Sequence, residues 1–118
     1  MVELVKELNL WKKQLGMIPE SVWEAVDVET LILADNGLES ISADIARLKR
    51  LRTLDLGHNR ITSIPDEIGD LVSLDRFLYL HDNRLTELPA SLARLSRLRY
   101  LNISENALAA WPEAVSRM

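Results

Sequence analysis

The chain of 118 residues has no cysteine, which excludes a disulfide framework, a thiolate metal site and a cysteine nucleophile. Glycine and proline number four each, too few for a disordered linker. Aromatic residues make up only 5%, so any place where they gather is informative. Positive charge is short as well. A formal net charge of −4 speaks against binding along a nucleic-acid backbone, which calls for a basic stripe. No apolar run approaches the ~20 residues of a membrane helix. The opening MVELVKELNL places acidic residues where a signal peptide needs an apolar core. These absences predict a soluble protein of a reducing compartment, cytoplasmic or delivered inside a host, with no membrane or nucleic-acid partner. Length and a hydrophobic content of 47% fit one domain with one core.

What is present is a period. Asn36, Asn59, Asn83 and Asn106 are spaced by 23, 24 and 23 residues. Three residues before each stand Leu33, Leu56, Leu80 and Ile103, and five before stand Leu31, Leu54, Leu78 and Leu101. Two after stand Leu38, Ile61, Leu85 and Leu108; six after, Ser42, Pro65, Pro89 and Pro112; nine after, Ile45, Ile68, Leu92 and Val115. In the most regular unit, Leu51–Ser73, Leu54-x-Leu56 has the period of a strand, and Ile64, Ile68 and Leu71 trace a short helical arc. A unit with one apolar side cannot bury it alone, so the copies must stack.

One period upstream falls on Lys13, around which Leu8, Leu10, Leu15, Ile18, Pro19 and Val22 are in phase. The competing reading is an amphipathic helix over residues 2–15, with Leu4, Leu8, Trp11 and Leu15 on one face and Gly16 ending it. The phased positions, proline included, favour a degenerate first repeat whose Lys13 points its ammonium to water at the end of the stack. One domain, 1–118, then divides into units 5–27, 28–50, 51–73, 74–97 and 98–118.

The runs LDLGHNRITSIPDEIGDL and LYLHDNRLTELPASLARL resemble the leucine-rich repeat family, in particular its 23-residue class from Ras-group and bacterial intracellular proteins. The resemblance implies an α/β solenoid, a short right-handed horseshoe with a parallel β-sheet on the concave face and helices on the convex face. It also implies partner proteins bound mostly on the concave side. Physical spacing predicts the same curvature, since strands sit ~4.8 Å apart and helices are ~10 Å across. At each Asn the chain leaves the sheet, and a buried amide there can satisfy backbone groups of adjacent repeats. The ladder of Asn36, Asn59, Asn83 and Asn106 therefore reads as structural. Pro65, Pro89 and Pro112 suit a first helical position, and Ser42 suits a cap. Arg47, Lys49, Arg50, Arg94 and Arg97 read as a solvated outer face.

Two irregularities stand out. One extra residue lies between Leu74 and Leu78, and removing Asp75 restores the register. An extra residue entering a strand makes a bulge, either harmless or tilting Arg76 or Phe77 towards a ligand. The last unit has Trp111 where isoleucine usually stands and no polar cap. It calls for a longer array, for coverage of the core by Trp111, Val115 and Met118, or for an edge-to-edge homodimer; concentration-dependent self-association is the expectation.

Strand alternation sorts the concave face into columns. They are Glu7, Thr30, Thr53, Phe77 and Tyr100; Asn9, Ile32, Asp55, Tyr79 and Asn102; Trp11, Ala34, Gly57, His81 and Ser104; and Lys12, Asp35, His58, Asp82 and Glu105. Phe77, Tyr79, His81 and Tyr100 fall into one cluster flanked by Asp55 and Asn102, with Trp11 and Ile32 on the same face. These eight are the candidate protein-binding residues. Solvent-facing aromatics anchor interfaces, although cross-strand aromatic pairs also simply stabilise sheets. Roughly 25 outward positions amount to one standard interface.

Catalytic chemistry finds little footing. His58, His81, Asp55 and Asp82 fall near one another but read as surface residues, not as a metal site. Ser104 with His81 and an aspartate would lie on an open sheet with no oxyanion hole. No phosphate-binding glycine motif occurs. The expectation is a non-catalytic protein–protein interaction module with no cofactor or metal, its specificity in unit 74–97. The alternatives are the recognition part of a larger enzyme, such as a kinase, GTPase or ubiquitin ligase, or a designed or structural scaffold.

Overall fold

The leucine five residues before each ladder position forms the centre of a three-residue strand. A computed structural model describes residues 5–118. It contains β1 (Glu7–Asn9), β2 (Thr30–Ile32), β3 (Thr53–Asp55), β4 (Phe77–Tyr79) and β5 (Tyr100–Asn102). The five lie side by side in chain order, all parallel. Leu8, Leu31, Leu54, Leu78 and Leu101 form one transverse row. Residues 5–27 are thus a repeat in phase with the others, and the competing helix does not form over its described part.

Behind the sheet, Leu31, Leu33, Leu54, Leu56, Leu78 and Leu80 are fully buried, meeting Ile45, Ile68 and Leu92 from the opposite side. Each such side chain contributes about 1.5–3 kcal/mol through removal from water. In the first repeat the bulk comes from Trp23, which is buried. The convex face holds single five-residue 3₁₀ turns at Glu20–Glu24, Ala43–Arg47, Asp66–Asp70 and Ala90–Arg94. The last unit has instead a four-residue helix, α1 (Glu113–Ser116). The apolar pairs Ile45/Leu48, Ile68/Leu71 and Leu92/Leu95 stand at i and i+3, which superimpose at three residues per turn, and all six are buried. Among the described residues, no helix is long and apolar enough to cross a membrane.

The prolines sit one place earlier than expected. Pro19, Pro65, Pro89 and Pro112 are caps with ψ of 140, 152, 143 and 126°. The ring sets φ, but the chain turns only at the next residue. The proline carbonyl then accepts the first helical N–H, as from Ile68 to Pro65 at 3.1 Å. Ser42 is the cap it was expected to be, its Oγ accepting the Asp44 N–H at 3.0 Å.

The ladder asparagines are built into the backbone. Asn59 Oδ1 accepts the N–H groups of Asn36 (2.9 Å) and Leu38 (3.0 Å). Its Nδ2 donates to the carbonyls of Leu33, Leu56 and Gly57 at 3.2, 3.0 and 3.1 Å. Asn36, Asn59 and Asn83 are buried, and Asn106 is half-buried. Lys13, in the corresponding place of the first repeat, is exposed.

The extra residue makes no bulge in the sheet: Phe77 pairs with Thr53 in register and Arg76 N–H bonds the Arg52 carbonyl at 3.1 Å. Asp75 is expelled into the loop before β4, where its carboxylate takes a two-pronged bond from Arg52, Nε to Oδ1 at 2.9 Å and an NH2 group to Oδ2 at 3.0 Å. A bulge within the strand would have rotated Leu78 out of the core, which outweighs any strain in the loop. At the far end Trp111 is 70% exposed and Met118 is exposed too, so neither covers the core as expected. Trp111 holds the position of Ile41 and Ile64, which later repeats cover. Ala114, buried, and Val115, half-buried, form the lid.

Candidate functional site

The concave face is the outward side of the five strands, and its centre of chemistry lies on β4 and β5. Phe77 and Tyr79 alternate around buried Leu78, so both rings emerge on the same side, stacked with centroids 5.8 Å apart. Tyr100, paired with Phe77 in register, packs edge-on to it at 6.3 Å and lies 5.8 Å from Tyr79. His81 meets the Tyr79 ring at 5.8 Å and continues to His58 at 4.7 Å, both edge to face. The expected cluster is therefore one connected run of five rings, with His58 added. Phe77 is 40% and Tyr100 49% exposed, so these rings offer apolar area to solvent while holding one another in place.

His81 lies flat over Gly57. A Cβ at Gly57 would come within 2.5 Å of His81 Cε1 and 2.8 Å of Nε2, so the glycine is the seat for the ring. Its Nδ1 is buried without a hydrogen-bond partner. His58 Nδ1 bonds Asp82 Oδ2 at 2.7 Å. That bond raises the His58 pKa above the ordinary 6.5, with desolvation opposing and the charges of Asp82, Asp35 and Asp55 assisting. His58 is exposed, so this is a tuned surface imidazole. Among the described residues no group of three or more His, Asp or Glu side chains converges as a metal site would require.

The other expected residues are placed differently. Ile32 is half-buried between Asn9 and Asp55 in the central row. Asp55 and Asn102 do flank the cluster, but each turns an oxygen onto its own chain: Asp55 Oδ1 accepts the Gly57 N–H at 2.9 Å, and Asn102 Oδ1 the Ser104 N–H at 3.1 Å. Trp11 is 55% exposed but stands apart, because Ala34 and Gly57 between it and His81 have almost no side chain. Its ring is visited by Lys12 Nζ at 5.9 Å.

The two rims carry opposite charge. At the strand exits Lys12, Asp35, His58, Asp82 and Glu105 all adopt left-handed backbone, φ 53–57°, which lifts a mainly acidic row to the surface. At the entries Lys6 pairs with Glu29 (2.9 Å) and Arg52 with Asp75, while Arg76 and Arg99 make no ion pair among the described residues. The aromatic run thus lies between two arginines and an acid rim. Of these features, the Arg52–Asp75 bond and the Gly57 seat escaped the sequence reading, though the small–large pairing of Gly57 and His81 in one column was its available sign.

Known proteins share this architecture. The volume-regulated anion channel subunit LRRC8A of Homo sapiens is 40% identical over 76 residues, covering 63% of this chain and 9% of that protein. A leucine-rich-repeat protein of Leptospira interrogans superposes with a TM-score of 0.83 at 26% identity, over 96% of this chain and 34% of that one. A chain of the BIR3–SERK2 complex from Arabidopsis thaliana superposes with a TM-score of 0.80 at 38% identity, over 94% and 62% respectively. A leucine rich repeat profile matches residues 27–85, and a second one matches residues 76–95. With half its length matched by that profile, the chain belongs to the leucine-rich repeat family.

Proposed function

We propose that the protein is a non-catalytic interaction module that binds a protein or peptide partner on its concave face, at the strands β4 and β5. The carrying observation is the connected run of Phe77, Tyr79, Tyr100 and His81, exposed in part and held on a rigid sheet. Rigid amphipathic rings give contact area at low entropic cost, as interface hot spots do. The rims specify the partner further: an extended segment with apolar side chains over the rings, an acidic group towards Arg76 and Arg99, and a basic group towards Asp82 and Glu105. An open sheet suits such a segment better than a small molecule, which needs a concave pocket. The likeness to a chain from the BIR3–SERK2 complex supports a partner-binding role.

The test is the triple variant Phe77→Ala/Tyr79→Ala/Tyr100→Ala in a pull-down against wild type. Loss of a hot-spot ring costs 2 kcal/mol or more, about 30-fold in affinity, so partner recovery should collapse while the fold persists. Equal recovery by both proteins sinks the proposal. A second reading rests on coverage, since this chain spans only 9% of the LRRC8A relative: the same face would serve as the recognition segment of a longer polypeptide, including a multidomain enzyme. A messenger RNA encoding nothing beyond these residues would overturn that reading.

A further inference from the structure

The ladder asparagines bond alike, but the residues that follow them differ. Arg60, Arg84 and Ala107 follow Asn59, Asn83 and Asn106, and their N–H groups donate to the carbonyls of Leu38, Ile61 and Leu85 at 2.7, 2.9 and 2.9 Å. Asn36 is followed by Gly37, the one Asn–Gly pair in the chain. Gly37 adopts left-handed backbone, φ 65°, which neither Arg60, Arg84 nor Ala107 does. Its N–H makes no hydrogen bond among the described residues. Gly37 is exposed and lines an open depression with Asp35, His58 and Arg60, so water reaches it.

A backbone nitrogen and the side-chain carboxamide before it can close a succinimide ring. A following glycine hinders that closure least, since it has no Cβ and accepts unusual dihedrals. The nitrogens of Arg60, Arg84 and Ala107 would first have to give up a hydrogen bond, and that of Gly37 would not. What restrains the reaction is the hold on Asn36 itself, which is buried. Its Oδ1 accepts the Lys13 and Leu15 N–H groups at 2.8 and 3.3 Å. Its Nδ2 donates to the carbonyls of Leu10, Leu33 and Ala34 at 2.8, 3.1 and 3.1 Å. Lys13, Leu15 and Leu10 all belong to the repeat 5–27, so a local opening of that repeat releases most of the amide.

We propose that Asn36–Gly37 is a modification site, at which the chain cyclises and deamidates of its own accord when the repeat 5–27 undocks. The Gly37 nitrogen bonds to Asn36 Cγ, the Cγ–Nδ2 bond breaks, and Nδ2 leaves as ammonia with the Gly37 proton. Water then opens the succinimide to aspartate or, by adding at the main-chain carbonyl, to isoaspartate. Isoaspartate reroutes the main chain through the side chain. Aspartate sets an oxygen where Nδ2 stood, facing carbonyls it cannot serve. Leu33 keeps Asn59 Nδ2 and Ala34 keeps the Lys12 N–H, but the Leu10 carbonyl is left without a donor among the described residues. A reversible opening between two repeats thereby becomes a lasting one.

The test follows the protein through prolonged incubation in mildly alkaline buffer, folded and in urea, by tandem mass spectrometry of its peptides. Asn36 should convert well before Asn59, Asn83 and Asn106 in both, and faster in urea. Trp23→Phe trims a buried ring of the first repeat; it should speed conversion in buffer and leave the rate in urea unchanged, with circular dichroism to check the fold. Gly37→Ala, whose added Cβ would meet nothing within 4 Å, should slow conversion in both. The Leu10 and Lys12 N–H groups donate to the Ile32 and Ala34 carbonyls across the joint. In Asn36→Asp, the product itself, their hydrogen exchange should quicken roughly tenfold or more, as when a buried carbonyl loses its donor. Conversion at Asn36 no earlier than at the other ladder positions overturns the site. A rate in buffer equal to that in urea, or indifferent to Trp23→Phe, overturns the control by docking. Exchange in Asn36→Asp at the wild-type rate overturns the parting of the repeats.

Discussion

Replacing a ladder asparagine by alanine should cost different amounts at two sites that look equivalent in sequence. In Asn59→Ala the N–H groups of Asn36 and Leu38 lose their acceptor. The three carbonyls served by Nδ2 do not become orphans: Leu33 keeps Asn36 Nδ2, Leu56 keeps Asn83 Nδ2 and Gly57 keeps the Asp35 N–H. In Asn83→Ala the Ile61 N–H alone is orphaned, because the Asn59 N–H bonds the Asp82 carbonyl at 3.2 Å. Its carbonyl partners likewise keep Asn59, Asn106 and the His58 N–H. An unsatisfied buried donor costs about 1–3 kcal/mol, so Asn59→Ala should lose about 2–6 kcal/mol and Asn83→Ala about half as much. The cavity and the change in backbone propensity are the same in both and cancel. Urea unfolding followed by circular dichroism, with the slope m held constant, measures the two midpoints. Equal losses, or a larger loss at Asn83, would refute donor counting as the basis of the ladder's stability.

Two glycines offer a contrast on opposite faces. A Cβ at Gly69 would lie 2.5 Å from the Ser91 carbonyl oxygen, whereas one at Gly57 meets only the movable ring of His81; Gly69→Ala should cost about 1–3 kcal/mol by overpacking, and Gly57→Ala distinctly less in thermal melts. A Gly57→Ala protein as destabilised as Gly69→Ala would show that the ring is locked. For His58 the folded pKa is raised by Asp82, so its stabilising contribution is complete below the ordinary 6.5 and is lost as pH rises through the folded value. Proton NMR titration should find the His58 midpoint above 6.5 and return it towards that value in Asp82→Asn; an unmoved midpoint contradicts the bond. Asp75 behaves in the opposite sense: Arg52 lowers its pKa, so its contribution is present above the unfolded carboxylate value and fades as pH falls through the folded one.

The buried rows were legible because burial repeats with the backbone. A leucine every second residue and an asparagine at fixed distance define which atoms face inward, and the pairing of Phe77 with Tyr100 and Tyr79 with Asn102 follows from that register. The helix type was not legible, since apolar residues at i and i+3 satisfy an α-turn and a 3₁₀ turn alike. Nor was the position of the prolines, because a fixed φ suits both a cap and a first helical residue. Counting located the extra residue near Asp75 but not its effect, which depends on a competition between keeping Leu78 buried and keeping the loop short. The orientation of Asp55 and Asn102 was hidden for a similar reason. Their column fixes the face, while the choice between solvent and the neighbouring Gly57 or Ser104 N–H is made by local hydrogen bonding.

The irregular unit therefore carries its distinction in side chains and not in a redirected backbone. With β4 in register on both sides, the insertion leaves Phe77 where a regular repeat would put it, and adds only the carboxylate that holds Arg52. That pairing has a consequence for the rim. Asp75 occupies Arg52 and reaches Arg97 at 4.0 Å, whereas Arg76 and Arg99, side by side at the entry of the Phe77–Tyr100 pair, make no ion pair among the described residues. The inserted residue thus separates cations engaged within the fold from those available beside the aromatic run. Deleting Asp75 should leave the sheet and the rings unchanged but free Arg52, broadening the positive rim. Partner binding should then keep its dependence on Phe77, Tyr79 and Tyr100 while tolerating a misplaced acidic group, measurable as a flatter response to moving that group along a synthetic peptide. An unchanged response would mean that the rim does not read charge position at all.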